Sequence, residues 1–266
     1  MKLMKRLAIR LMSNGIAQQA LERGVTRAQF LLGIGAGDDV ATSGESALFR
    51  RLKADTREPE PLCVFDVGAN RGQFLKLAVS ELAGYPFSIH SFEPSAATFK
   101  MLAEVQGSDS RIVLNRFGLG RAKGELTLYY DQPGSGLASL TKRRLDHFGT
   151  AFSQSERVTI ETLDGYCEGR GIKHVDLLKM DVEGHELDVL LGAQRMLAGS
   201  VSMVAFEFGG CNIDTRTYFQ DFFYFFQGCG MSLYRLTPSG FLFPISKYLE
   251  QFEQFRTTNF VACRKA

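Results

Sequence analysis

Four short apolar runs punctuate the chain: Leu62 to Val67, Phe87 to Phe92, Val175 to Met180 and Val201 to Phe206. The first shows no clear in-and-out alternation, which suits a strand buried on both faces. Between the runs apolar residues recur at helical spacing. Phe74, Leu75, Ala78, Val79 and Leu82 predict a helix after the first run, and Leu187, Leu190, Leu191 and Met196 predict one from about Glu186 through Leu197 after the third. The pattern predicts an α/β domain. Its densest apolar stretch, Phe222 to Phe226, is too short to span a membrane. It reads as a core-facing helix between the strands near Val201 and Met231, with a part in lining a pocket left open. Residues 1–60 differ in character, with helical periodicity, glycines in Gly33-Ile-Gly-Ala-Gly37 and an acidic, proline-containing link from Asp55 to Pro61. The expected organisation is an N-terminal helical extension over 1–60 and a second domain over 61–266.

The first run ends in Asp66 and breaks into a turn carrying Gly68, Asn70 and Gly72. In an open parallel sheet this is the carboxyl end of a strand, where ligands bind. The turn lacks the G-x-G-x-x-G order that lets backbone touch a pyrophosphate, and G-x-x-x-x-G-K-[ST] is absent as well. The bland alternative is that the glycines only shape a tight turn. Glu93, about twenty residues beyond the turn, ends the second run where an acidic side chain meets the two hydroxyls of a ribose. Its alternative is a surface carboxylate before a helix start at Pro94-Ser95. A ribose clamp without a pyrophosphate turn suits S-adenosylmethionine, which carries no phosphate. The helix beginning near Arg71 offers backbone N–H groups to its carboxylate, and Asp66 can face its ammonium directly or through water.

Asp181, Glu183, His185 and Glu186 follow the third run, and Glu207 follows the fourth on the same rim. Methyl transfer from a sulfonium is an in-line displacement governed by positioning, with the acceptor oxygen about 3 Å from the methyl carbon. An alcohol also needs a base to take its proton. His185 has the ordinary pKa best suited to that task, with Asp181 or Glu207 orienting it or touching substrate hydroxyls. Alternatively, Glu183 and Glu186 only favour a helix start and His185 is a polar surface residue. A divalent cation on the Asp, Glu and His group is conceivable, but no two-His or Cys spacing supports it, and the metal stays unassigned.

Three blocks, FDVGANRGQF with SFEPSAATFKML, ETLDGYCEGRGIKHVDLLKMDVEGHELDVLLGA, and VAFEFGGCNIDTRTYFQDF followed by NFVAC, resemble the FkbM-type family of S-adenosylmethionine-dependent methyltransferases. The resemblance implies a Rossmann-like class I methyltransferase fold: a mostly parallel seven-stranded sheet with helices on both faces, in which Thr258 to Cys263 is the late antiparallel strand. It also implies methyl transfer, usually to an alcohol oxygen of a saccharide, glycolipid or polyketide-derived product. Carried over by position, Asp66, Gly68, Asn70 and Gly72 surround the methionine part, Glu93 holds the ribose, and Phe117 and Gly118 lie near the adenine, although Phe117 equally suits a core aromatic. Two other readings stand beside it: an NAD-dependent oxidoreductase, and a non-catalytic cofactor-binding protein of the same fold.

Composition narrows the classes further. A hydrophobic content of 45% with 23% charged residues is ordinary for a globular protein, and a net charge of +2 gives no reason to expect a nucleic-acid partner. The five cysteines, odd in number and scattered, form neither a disulfide framework nor a zinc pair, which fits a reducing cytoplasm. Leu3, Met4, Leu7, Ala8 and Leu11 fall at helical spacing with Lys2, Lys5, Arg6 and Arg10 between them. Such a basic amphipathic helix over residues 1–12 can rest on the inner face of an anionic membrane; a helix covering the second domain or a dimer contact is the alternative. No small-residue cleavage site follows it, so a secretory signal is not expected. Between Gly124 and Ile160 the sequence predicts a strand at Glu125 to Tyr130, a loop at Pro133-Gly-Ser-Gly136 and a basic segment at Lys142 to Arg144, which reads as a solvated charged turn, with a contact to an anionic sugar as the alternative. This insertion is where acceptor specificity is expected, the acceptor being a small molecule or glycan. The absence of G-x-S-x-G there excludes a serine-hydrolase elbow. The oligomeric state is not legible.

Overall fold

The computed structural model describes residues 9–37, 39–55 and 61–264. Most of the basic segment expected at the N-terminus, and residues 56–60 of the expected link, lie outside the described residues. The described strands are β1 (Leu62–Val67), β2 (Phe87–Phe92), β3 (Ile112–Asn115), β4 (Gly118–Leu119), β5 (Gly124–Tyr130), β6 (Gln154–Glu161), β7 (Val175–Met180), β8 (Val201–Phe208), β9 (Met231–Leu236), β10 (Leu242–Ile245) and β11 (Thr258–Arg264). The helices are α1 (Gly15–Leu31), α2 (Ser46–Asp55), α3 (Gln73–Glu81), α4 (Ala96–Gln106), α5 (Leu163–Arg170), α6 (Glu186–Leu191), α7 (Gln194–Leu197), α8 (Cys211–Thr215) and α9 (Phe219–Gly228).

The main sheet has the order β10-β9-β11-β8-β7-β1-β2-β3. Its strands run in one direction except β10 and β11, which are antiparallel to their neighbours. This is the expected mostly parallel sheet with its late antiparallel strand, extended by one short edge strand, β10. Pro244 within β10 marks it as an edge, since proline cannot donate to a further ladder. β1 to β3 advance to one side and β7 to β8 to the other, so the order reverses between β1 and β7. A crevice opens at the carboxyl ends of strands at such a switch point. β4, β6 and β5 form a separate small sheet, and the 131–153 connection returns from it over the rim of the main sheet.

Helices cover both faces. On one face Phe222 stacks on Phe206 at 4.9 Å between ring centroids, and Phe226 lies 5.2 Å from the same ring. The aromatic run is therefore core, as its spacing on α9 dictates: Phe222, Phe223 and Phe226 are buried while Tyr224 is exposed. On the other face Leu48 and Phe49 of α2 join Phe74, Leu75, Leu177 and Val261 in a second buried cluster. Part of the N-terminal extension thus belongs to the core of the α/β unit. The glycine segment straps it down, because Gly35 and Gly37 both donate backbone N–H groups to the Thr257 carbonyl. α1, by contrast, has no buried residue.

The helix expected from Glu186 through Leu197 is two helices, α6 and α7, interrupted at Gly192. A Cβ on Gly192 would stand 2.0 Å from the Gly120 carbonyl oxygen, so the chain passes here only as glycine. Apolar periodicity continued across the break, because the close approach to Gly120 is a tertiary contact. Among the described residues no helix is long and apolar enough to cross a membrane, and the five cysteines are unpaired.

Candidate active site

Two cavities meet over the ends of β1 and β7. The larger, about 810 Å³, is lined by Asp66, Lys179, Glu207 and Asn259 from the sheet, Glu45 from the N-terminal segment and Arg143 from the 131–153 connection. The smaller, about 70 Å³, lies between Glu93, Pro94, Gly118, Ile160, Leu140 and His185. Gly68, Asn70, Gly136, Asp181 and Glu183 belong to both walls. At this junction the backbones touch: Gly68 has φ +79°, and a Cβ there would lie 1.8 Å from the Asp181 carbonyl oxygen. Asn70 and Glu183 also occupy the left-handed region, at φ 47° and 53°. Non-glycine residues held there cost on the order of 1 kcal/mol each, and such positions cluster at ligand sites.

Asp66 is wholly buried in β1, and neither carboxylate oxygen has a hydrogen-bond partner. Burial pushes its pKa up to about 7, against the pull of Lys179. Leaving such a group unsatisfied costs roughly 1–3 kcal/mol. Its register partner Lys179 is buried as well and donates to Asp181 Oδ2 at 3.1 Å. Burial opposes the charge on Lys179, but Asp181, Glu45 and Asp66 outweigh it and the ammonium pKa is raised. Glu207, opposite Asn259 in the β8–β11 ladder, is held well above the usual carboxylate range by burial and then by Asp181, Glu183 and Glu186. Glu183 is pushed up to about 8 by burial and Asp181, although Arg143 donates to it.

The expected residues divide into those on a cavity wall and those behind it. Asp66, Gly68, Asn70, Glu93 and Gly118 are on a wall, as are Asp181, His185 and Glu207. Glu93 accepts from the Asn70 N–H at 3.0 Å and the Ser95 N–H at 2.8 Å, and burial still raises its pKa to about 7. Gly72 lines neither cavity. It precedes α3 at φ 81° and its α-carbon faces Leu102 and Val105 of α4. Phe117 is likewise turned away, its ring 5.7 Å from Phe92 and 5.9 Å from Tyr166 in a core aromatic cluster. The apolar environment wins the ring, and only Gly118 is left facing the smaller cavity.

His185 is held by partners at both ring nitrogens. Its Nε2 lies 3.0 Å from the Thr141 hydroxyl and its Nδ1 2.9 Å from Asp188 Oδ2, so both ring nitrogens are engaged. It lines only the smaller cavity, away from Glu207. Glu186 accepts from the Val182 and Gly184 N–H groups at 2.9 and 3.3 Å, closing the turn after β7.

Three participants are not among the expected site residues. Lys179 sits inside the LLKMDVEGHE stretch, but only the sheet shows that it stands in register with Asp66. Arg143, expected in a solvated turn, is buried between Glu183 and Asp214. Glu45 is brought to the site by the glycine strap, and no local pattern marks it. The 131–153 connection is anchored at the junction by the Arg71 guanidinium on the Gly134 carbonyl and by the Ser139 hydroxyl on the Glu183 carbonyl. Among the described residues no group of three or more His, Cys, Asp or Glu side chains is placed to hold a metal ion.

Comparison with known proteins gives this geometry a context. Residues 66–233 match the family described as the methyltransferase FkbM domain, which spans more than half of the chain. The chain is similar to the hexuronic acid methyltransferase AglP of Haloferax volcanii, 28% identical over 167 residues covering 62% of each protein. It is similar also to the 2-O-methyltransferase NoeI of Sinorhizobium fredii, 24% identical over 162 residues covering 56% of this chain and 63% of that one. It therefore spans less than two thirds of the length of either relative. Among solved structures, the FkbM methyltransferase of Methylobacillus flagellatus superposes with a TM-score of 0.50 at 17% identity, over 82% of this chain and 47% of that one. This last similarity concerns the fold.

Proposed function

The chain belongs to the FkbM methyltransferase family, and from that membership we propose that it moves a methyl group from S-adenosylmethionine to a hydroxyl of a saccharide, glycolipid or related natural product. The observation that carries the reading is Asp66: a fully buried carboxylate, unpartnered at both oxygens, on the wall of the larger cavity beside Gly68. Such a group calls for a cationic partner, and the ammonium of S-adenosylmethionine supplies one.

The other residues suit the remainder of that cofactor. Glu93 has lone pairs left after its two backbone donors and can accept from a ribose. Pro94, Gly118, Leu119 and Ile160 make an apolar slot beside it for a flat base. Ser135, Ala138, Ser139 and Leu140 complete the wall of this slot, which shares Gly68, Asn70 and Asp181 with the larger cavity.

When bound, S-adenosylmethionine supplies a methyl group on a cationic sulfur. The chain's residues do the rest. Glu207, with its pKa raised and its carboxylate open to the larger cavity, takes the proton of the acceptor hydroxyl. Lys179 holds Asp181 at the junction of the two cavities, and Arg143 braces Glu183. The names of the two curated relatives, a hexuronic acid methyltransferase and a 2-O-methyltransferase, support a saccharide acceptor. In this reading residues 61–266 carry the cofactor side, and the 33–48 segment closes the acceptor side.

Calorimetry with S-adenosylhomocysteine and with NAD tests the cofactor, and radiolabelled methyl transfer to a saccharide panel tests the reaction. Binding of NAD in place of S-adenosylhomocysteine would remove the reading, and so would cofactor binding without transfer to any hydroxyl-bearing acceptor.

A further inference from the structure

We propose that α1 lies along the surface of a membrane that carries anionic lipids, with its apolar side among the headgroups and its polar side toward the α/β unit. The inference stands apart from the methyl-transfer reading. It also concerns a helix beyond residues 1–12, the segment for which the sequence alone predicts a membrane contact.

α1 is turned the wrong way round for a helix of a folded core. Ala20, Leu21, Gly24, Val25, Ala28 and Leu31 recur at three- and four-residue spacing and share one side, while Gln18, Glu22, Thr26 and Gln29 share the other. The polar side is the one that meets the rest of the protein: the Gln29 amide donates to Gln254 at 2.6 Å and accepts from Arg256 at 2.7 Å. The apolar side faces outward. Leu21 is 48% exposed, Val25 55% and Leu31 76%, and Ile16 at the edge of this side is 84% exposed. A contiguous apolar face left open in this way marks an interaction surface.

Charge decides what covers it. Residues 1–32 carry six Lys or Arg side chains against one acid, Glu22. Arg23 and Arg27, one turn apart, border the apolar side of α1, and no ion pair or side-chain hydrogen bond engages Arg10, Arg23 or Arg27 among the described residues. A second copy of the helix would bring the same unpaired cations together, whereas an anionic lipid surface attracts each of them. Their aliphatic stems lie along apolar surface while the guanidinium groups reach the lipid phosphates. The chain runs from α1 into the wall of the larger cavity at Gly35 and Gly37, so a docked helix brings that cavity to the lipid surface.

Co-sedimentation of the full chain with phosphatidylcholine vesicles, with and without phosphatidylglycerol, tests the proposal. Binding to the mixed vesicles is expected to be at least about tenfold tighter than to phosphatidylcholine alone, and to weaken as salt is raised. Arg23→Gln with Arg27→Gln, and separately Leu21→Ser with Leu31→Ser, should each lower it about tenfold or more. The urea midpoint should hold in both variants, because α1 has no buried residue. No binding, equal binding to the two vesicle types, or binding that either pair of substitutions leaves intact would overturn the proposal. So would a vesicle-free dimer in sedimentation velocity that Leu21→Ser with Leu31→Ser dissociates, since α1 would then cover a second copy. The measurement needs neither cofactor nor acceptor, and the methyl-transfer reading stands or falls separately.

Discussion

Lys179 and Asp66 are register neighbours on adjacent parallel strands, yet the Lys179 ammonium donates to Asp181 while both Asp66 oxygens stay without a donor. A buried cation therefore steadies the junction of the two cavities and leaves a neighbouring acid uncommitted.

Asp66→Asn removes the charge and keeps the shape. S-adenosylhomocysteine affinity should fall about 10- to 100-fold, the range for a charge-assisted hydrogen bond of about 1.5–3 kcal/mol. The ligand-free protein should lose no stability, because the carboxylate has no partner to lose. Calorimetry and a urea titration check the two halves separately.

Cofactor binding should release protons near neutrality. Asp66, with its pKa at about 7 in the ligand-free protein, must be ionised to pair with an ammonium. Affinity for S-adenosylhomocysteine should then strengthen as pH rises from 6 to 7 and level off above 8. The observed binding enthalpy should vary with the ionisation enthalpy of the buffer, and a buffer-independent enthalpy at pH 6.5 would contradict the assignment.

Stability of the ligand-free protein should fall as pH rises from about 5 to 8. Burial raises Asp66, Glu93 and Glu186 to about 7 and Glu183 to about 8. Over that window the folded state holds protons that the unfolded chain has released, so raising pH favours unfolding. The urea midpoint should be higher at pH 6 than at pH 8, the reverse of a protein held by paired carboxylates.

Glu207→Gln should reduce kcat by about 10²- to 10⁴-fold with cofactor affinity retained, the range for loss of a general base. His185→Asn should change activity less and stability more, because it breaks the Thr141 and Asp188 contacts. Steady-state kinetics beside calorimetry decide between them. A larger loss of kcat from the histidine variant would return the base to His185.

Phe222→Ala should destabilise the fold by about 3–5 kcal/mol, the cost of emptying a buried phenylalanine site. In the surviving folded fraction S-adenosylhomocysteine affinity should hold, since Phe222 lines neither cavity. Denaturant unfolding gives the first value, and calorimetry below the transition gives the second.

Local pattern is enough to mark the strand that ends in Asp66, the glycine turn, Glu93, the rim after β7 and the buried phenylalanine face of α9. Each is written in local periodicity or in a turn that only certain residues allow, and short-range sterics and burial enforce them before any distant contact exists. Tertiary structure alone decided the rest. Packing against Phe92 and Tyr166 turned Phe117 inward, the approach to Gly120 broke the helix at Gly192, Thr141 and Asp188 occupied both nitrogens of His185, and the glycine strap carried Glu45 to the cavity. The physical reason is separation along the chain: these partners meet only after the sheet has formed, and a pattern of neighbouring residues carries no record of what will later stand opposite them.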